Sequence, residues 1–130
     1  MGLFDRFKSN KNNALPKGAH HLVVKSVEKL TNDAVQIEFD IPSLLQANFN
    51  FTAGQYLTLE LDIDGEKLRR SYSICSGEKQ GLCIGVKAIE KGKASNYLQR
   101  IEKGTSLLVF EPEGNFIWKP AYKKAVAIAA

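Results

Sequence analysis

The fold is decided by residues 56–75, which read YLTLELDIDGEKLRRSYSIC. Apolar and polar residues alternate over 56–63, and this period of two is typical of a strand with one buried face. Asp64-Gly65 is a typical two-residue hairpin turn, and a second extended segment follows over Leu68–Cys75. The stretch therefore predicts two antiparallel strands, with these side chains facing the core: Leu57, Leu59, Leu61 and Ile63.

Segments of the same kind lie on both sides of this hairpin. Strands are predicted over His21–Lys29 and Ala34–Phe39 before it, and over Leu82–Ile89 and Ser106–Phe110 after it. The first two strands are joined by a turn at Thr31-Asn32-Asp33. A long loop over 42–51, with one helical turn at Ser43–Ala47, separates them from the central hairpin.

One helix is predicted, over Ser95–Glu102. Ser95 is expected to cap its start, and Gly104 lies where a helix typically ends. Tyr97, Leu98 and Ile101 form its inward stripe. The predicted fold is all-β: a six-stranded antiparallel Greek-key barrel with one α-helix inserted before the last strand, closed so that no sheet edge is exposed.

The composition fits one domain and excludes several classes of protein. The chain has 130 residues, of which 44% are hydrophobic and 25% charged, as in an ordinary water-soluble protein. No segment is long and apolar enough for a membrane span, and the first residues lack a secretory signal, so we expect a cytoplasmic protein. Cys75 and Cys83 are too few for a disulfide scaffold or a cysteine metal site. They flank a turn over 77–81 and could face each other across a hairpin, but we expect two reduced, buried thiols.

The two ends differ in pattern from the barrel. Residues 1–17 predict a leader and linker, and the barrel domain is expected over 18–122. Residues 123–130 begin with two lysines and continue as an unbroken apolar run. Such runs are typical of a parallel strand buried on both faces. This run therefore predicts the first strand of a truncated NAD(P)-binding domain.

The stretch Arg70-Ser71-Tyr72-Ser73 carries the first candidate chemistry. Because side chains alternate along a strand, Arg70 and Tyr72 point to the same face. A guanidinium suits a phosphate, and an aromatic ring suits a planar ring system. Ser73 adds a hydroxyl at the same end. A surface strand with a solvated arginine is the alternative explanation for four such residues taken alone.

The second candidate element is Gly92-Lys93-Ala94-Ser95, which leads into the predicted helix. The N–H groups at a helix start favour phosphate or pyrophosphate, and glycine lets the backbone approach closely. Lys87 and Lys91 add positive charge nearby. A plain serine-capped helix is the alternative for this element alone. Together the two elements predict a site for a dinucleotide with a flat ring at one end.

The chain from about His20 to Ala130 resembles the ferredoxin-NADP reductase-like flavoproteins. The family signatures R-x-Y-[ST] and G-x-x-S match Arg70–Ser73 and Gly92–Ser95. Ala53-Gly54-Gln55-Tyr56 resembles the family's G-Q-[YF] strand entry, and Pro112–Phe116 its P-x-G-x-F stretch. Within the family, the motifs most resemble flavodoxin reductases and reductase components of the phenylacetyl-CoA epoxygenase type.

The resemblance implies an FAD cofactor and a role for each candidate residue. Arg70 would neutralise the FAD pyrophosphate, with Ser71 beside it in the motif, and Tyr72 would stack on the isoalloxazine. Ser73 would hydrogen-bond near the flavin N5, which makes Tyr72 and Ser73 the candidate catalytic residues. The backbone of Val86, Lys87 and Ala88 would line the ribityl or phosphate region. Gly92 would let the backbone approach the cofactor, and Lys93, Ala94 and Ser95 would hold the pyrophosphate.

The implied function is electron transfer from NAD(P)H through FAD to a partner protein, which is a ferredoxin, a flavodoxin or an oxygenase component. The sequence has no glycine-rich motif after the apolar run, so we expect poor reduction of its flavin by NAD(P)H alone. Three alternatives stay open at this point. The net charge of +4 allows a nucleic-acid-binding barrel. A site for FMN or riboflavin is the second alternative, and a structural module whose flavin site has lost its function is the third.

Overall fold

The computed structural model of the protein describes residues 14–119. A short 3-10 helix over Ser43–Leu45 lies where the sequence predicts one helical turn. Within the described range the chain also forms six strands and one α-helix. They are β1 (Ala19–Thr31), β2 (Ala34–Asp40), β3 (Tyr56–Ile63), β4 (Glu66–Ser73), β5 (Leu82–Lys87), α1 (Lys93–Gln99) and β6 (Ser106–Phe110). Most of the predicted leader over 1–17 lies outside the described residues. The predicted strand over 123–130 lies wholly outside them.

The strands form one antiparallel sheet with the order β4-β3-β6-β1-β2-β5. The sheet curls so that its two outer strands meet at an isolated bridge between Ile74 and Ile84. Strands β3, β4 and β5 therefore lie side by side in the order in which they follow one another in the chain. Strand β6 lies on the other side of β3. This arrangement is a Greek key. The predicted fold class, an all-β antiparallel barrel with α1 inserted before the last strand, is confirmed.

The core lies inside the curl and follows the alternation of the strands. Leu57, Leu59 and Leu61 of β3 are buried, and Val35, Ile37 and Phe39 of β2 face them from the other side. α1 closes one opening of the barrel with Leu98, which is fully buried. Each large side chain of this kind contributes about 1.5–3 kcal/mol on burial, so this shared core fixes the positions of the strands that carry the site.

Strands β4 and β5 are bridged at only one end of the seam between them, so the barrel is partly open. This corrects the expectation of a closed barrel without sheet edges. Beside the bridge from Ile74 to Ile84, the Cys75 N–H donates to the Cys83 carbonyl at 2.9 Å. β4 has no other paired neighbour on this side in the described chain. The segment of β4 from Arg70 to Tyr72 therefore faces a gap instead of a hydrogen-bonded strand.

The helix begins and ends earlier than the sequence predicts, at Lys93 and Gln99 instead of Ser95 and Glu102. Gly92 is the N-cap residue, and no side chain caps the helix. The Ser95 hydroxyl is not a cap because it accepts a hydrogen bond from the Ile89 N–H at 3.1 Å. Gly104 does not end the helix either. It has a φ of 92° in the turn before β6, and its N–H donates to the Val24 carbonyl.

The thiols also differ from expectation. Both cysteines are free, but only Cys83 is buried, whereas Cys75 is exposed. Within residues 14–119 no helix is long and apolar enough to cross a membrane.

Candidate ligand-binding groove and family membership

An open groove of about 560 Å³ lies where β4 separates from β5. One wall is β4, and the other is the end of β5, the loop over 89–92 and the start of α1. The lining residues are Glu66, Leu68, Arg70, Ser71, Tyr72, Lys87, Ile89, Glu90, Lys91, Gly92, Lys93, Ala94 and Ser95. The groove thus brings together eight of the eleven residues that the sequence predicts for a cofactor site.

Strand register explains why Arg70 and Tyr72 face the groove. They are opposite Leu59 and Leu57 of β3, whose side chains are buried in the core. Positions 70 and 72 of β4 would therefore also face the core if the barrel were closed there. Because it is open, an arginine and a tyrosine occupy these two inward positions and line the groove.

Arg69 has the opposite orientation and a different environment. Its Nε donates to the Glu60 carboxylate at 3.0 Å, and its guanidinium lies 4.7 Å from the centre of the Phe110 ring. Arg70 instead donates from Nη1 to the Arg69 carbonyl at 2.8 Å. An arginine has five N–H donors, so Arg70 retains the capacity to bind a phosphate.

Tyr72 is half-buried beside Arg70. Burial raises the pKa of its phenol above the usual 10, and the positive charge of Arg70 partly offsets this effect. The phenol is therefore neutral at physiological pH. A neutral aromatic ring on a groove wall suits stacking against a planar ligand.

The groove has more positive than negative side chains. Its lining includes four cationic residues, Arg70, Lys87, Lys91 and Lys93, but only two acidic ones, Glu66 and Glu90. Lys93 is paired across the groove with Glu66 at 2.9 Å, and this contact lowers the pKa of the Glu66 carboxyl. The excess of positive charge favours an anionic ligand.

The loop over 89–92 is held in shape by the first residues of α1. The buried Ser95 hydroxyl accepts from the Ile89 N–H and donates to the Gly92 carbonyl at 3.4 Å. The Asn96 amide donates to the Ile89 and Gly92 carbonyls at 2.9 and 2.6 Å. A side chain at Gly92 would overlap the Ile89 side chain and the Ser95 hydroxyl. Gly92 is therefore required by the packing of this loop.

Three predicted site residues do not line the groove. Ser73 is exposed at the end of β4, opposite Tyr56. Val86 is buried in the core, and its carbonyl accepts from the Gln99 side chain at 2.8 Å. The Ala88 N–H donates to the Asp33 carbonyl at 2.7 Å, so this backbone donor is already used.

The sequence did not predict four of the groove residues, Glu66, Leu68, Ile89 and Glu90. Ile89 carries a usable sequence signal, since it is an apolar residue just before the Gly92 motif. In the structure it is 62% exposed. Glu66 follows the hairpin turn and looks like an ordinary surface residue. Only the approach of α1 to β4 brings it to the groove.

These features suit a flavin dinucleotide. The wall formed by Tyr72 provides an aromatic surface, and Arg70 and Lys93 provide positive charge for a pyrophosphate. Residues 21–118 match the family model described as the oxidoreductase FAD-binding domain. The chain belongs to this family. It is an FAD-binding domain of the oxidoreductase class, and neither the nucleic-acid nor the FMN alternative is supported.

Curated relatives of this FAD-binding domain are parts of redox systems. The chain is 44% identical over 116 residues to one of the subunits of 1,2-phenylacetyl-CoA epoxidase from Escherichia coli, covering 85% of this chain and 33% of the relative. It is 42% identical over 71 residues to a glycine betaine monooxygenase reductase subunit of Chromohalobacter salexigens, covering 52% and 19%. The chain thus spans a third or less of these relatives.

Solved structures confirm the fold. A ferredoxin NADP⁺ reductase from Neisseria gonorrhoeae with bound FAD and NADP has a TM-score of 0.66 at 20% identity, covering 77% of this chain and 40% of that one. The FAD/NAD-binding domain of a Vibrio cholerae nitric oxide dioxygenase has a TM-score of 0.68 at 22% identity, covering 76% and 45%.

Proposed function

We propose that the FAD of this domain lies in the groove between β4 and the 89–92 loop. The observation that carries this proposal is that Arg70 and Tyr72 lie on one wall of the groove and Lys93 lies on the other. These groups match the charge and the ring system of a flavin dinucleotide. They converge only because the barrel is open at this end.

The residues take distinct roles in the proposal. Arg70 binds the pyrophosphate through the guanidinium donors that remain, and Lys93 contributes a second positive charge. The Tyr72 ring stacks on the isoalloxazine, and Ser73, which lies beyond the groove lining at the end of β4, hydrogen-bonds near its reactive edge. The walls formed by Leu68 and Ile89 shield the contact from water.

We further propose that the protein carries electrons from NAD(P)H to a partner protein. FAD supplies the redox chemistry when bound, and the domain binds and orients it. The names of the relatives support an oxygenase component as the acceptor, and a ferredoxin or flavodoxin is the second candidate. We place the protein in the cytoplasm, which agrees with its two free thiols.

The proposed position of FAD is tested by substituting two neighbouring arginines, one in each variant. Arg70→Gln removes a charged hydrogen-bond donor from the groove, and we expect FAD to bind about 10–100-fold more weakly, since such bonds contribute about 1.5–3 kcal/mol. FAD affinity is measured from the quenching of flavin fluorescence.

Arg69→Gln is the matched control, because Arg69 is one residue away but pairs with Glu60 outside the groove. It should leave FAD affinity within about twofold. Equal losses in the two variants, with both proteins folded by circular dichroism, would place FAD elsewhere.

A further inference from the structure

We propose that Cys75 and Cys83 form a redox-active dithiol that low-molecular-weight disulfides convert to an intramolecular disulfide. This is a modification site on the outer surface of the barrel, separate from the groove, and it does not depend on the proposed position of FAD. Its position is the seam where β4 and β5 close the barrel.

The register of the seam brings the two residues opposite each other. Ile74 and Ile84 form an antiparallel bridge, so the next pair along the seam is Cys75 and Cys83. The Cys75 N–H donates to the Cys83 carbonyl at 2.9 Å, which fixes this pairing. Opposite residues of an antiparallel pair have Cα atoms about 4.5–5.5 Å apart, and this lies within the range that a disulfide spans.

Both side chains lie on the outer face of the sheet. Cys83 pairs with Glu38 of β2, whose neighbours Ile37 and Phe39 face the core. The Cys75 thiol lies 3.7 Å from the amide oxygen of Gln36, which is on the same outer face as Glu38. The pKa of the Cys83 thiol is raised chiefly by burial, and the charges of Glu38 and Cys75 raise it further. The register therefore places both thiols on the outer face of the seam.

The surroundings leave room for the two sulfur atoms to approach. Gly85 follows the seam on β5, and a methyl group built on it would contact nothing within 4 Å. The Cys83 N–H is bonded to the Ser76 hydroxyl at 3.0 Å, so the turn after Cys75 is held near β5. Cys75 is exposed and open to reagents, although partial burial raises the pKa of its thiol, whereas Cys83 is buried.

The difference in exposure sets the order of the reaction. The Cys75 thiolate attacks glutathione disulfide, forms a mixed disulfide and releases one glutathione. The Cys83 thiolate then attacks the Cys75 sulfur and releases the second glutathione. The protein loses two protons and two electrons, and glutathione disulfide gains both to become two molecules of glutathione. The resulting disulfide joins the segment just after β4 to β5, two residues beyond Ser73.

The test incubates the 130-residue chain with glutathione disulfide in a mildly alkaline buffer. We expect the free thiols to fall from two per chain to none, as measured by Ellman titration. The intact mass should drop by two hydrogens without a glutathione adduct, and dithiothreitol should reverse both changes. A peptide map should then show residues 75 and 83 cross-linked.

The single variants Cys75→Ser and Cys83→Ser are the controls. Cys83→Ser should retain a stable glutathione adduct on Cys75, because the second attack is lost. Cys75→Ser should react many times more slowly, since its remaining thiol is buried. Cys75→Ser also keeps the test valid if loss of the buried thiol prevents folding. A stable adduct on the native chain, or a disulfide between two chains, would overturn the proposal.

Discussion

Glu66 and Lys93 face each other across the groove, and their contact affects the ligand site directly. The carboxylate and the ammonium are 2.9 Å apart, and both side chains are largely exposed. A pyrophosphate in the groove would compete with Glu66 for Lys93 and would also be repelled by the Glu66 charge. Both effects make Glu66 unfavourable for FAD binding.

We therefore expect Glu66→Gln to bind FAD about twofold to fivefold more tightly than the native chain, a size typical of exposed charges. The difference should shrink as salt is added, because salt screens exposed charges. Fluorescence titration at low and high salt measures both effects. Glu60→Gln is the control, since Glu60 pairs with Arg69 away from the groove. Weaker binding by Glu66→Gln would mean that Lys93 does not contact the phosphate.

Single residues also show what sequence reasoning can predict. The inward parity of Arg70 and Tyr72 follows from alternation along a strand, so their common face was predictable. The role of Ser95 was not. Its hydroxyl accepts a hydrogen bond from the loop before α1. A serine near a helix start gives the same sequence pattern whether it caps the helix or holds the preceding loop.

At the scale of elements, the segment after β6 is attached to the start of β3. Tyr56 and Glu113 exchange backbone hydrogen bonds of 2.8 and 3.0 Å. Gly54 has a φ of 100°, and a side chain built on it would collide with the Phe116 carbonyl. Only glycine allows this backbone conformation and this close approach without strain.

We expect Gly54→Ala to lower the free energy of unfolding by about 2 kcal/mol, in the range for a strained backbone position. Chemical denaturation measures the change. Gly85→Ala is the matched control, because a methyl group there contacts nothing within 4 Å, and it should have a much smaller effect. A similar loss in both variants would contradict a specific role for the contact between Gly54 and the segment after β6.

The elements were predictable where one pattern decides them. Alternation places β3 at Tyr56–Ile63 and β6 at Ser106–Phe110, as the structure has them. The ends of α1 and β5 were not predictable, because contacts distant in sequence decide them. β5 ends at Lys87, and the next backbone N–H, of Ala88, turns to the Asp33 carbonyl in the β1–β2 turn.

In the molecule as a whole, the proposed function depends on incomplete closure of the barrel. The sequence predicted a closed barrel, since closure removes exposed edges. The structure closes the seam at Ile74 and Ile84 and leaves a groove beyond it. The gap depends on how the whole sheet curls, which no local pattern records. The same gap places Arg70 and Lys93 in one groove, where we propose that they bind one ligand.

We propose above that this groove binds a dinucleotide. The most direct measurement compares the affinities of the purified chain for FAD and FMN by fluorescence titration under one set of conditions. Because FMN lacks the second phosphate and the adenosine, it cannot reach both walls in the same way. We predict that FAD binds at least about tenfold more tightly, which corresponds to about 1.4 kcal/mol. Equal affinities, or tighter binding of FMN, would show that the groove does not bind a dinucleotide between its two walls.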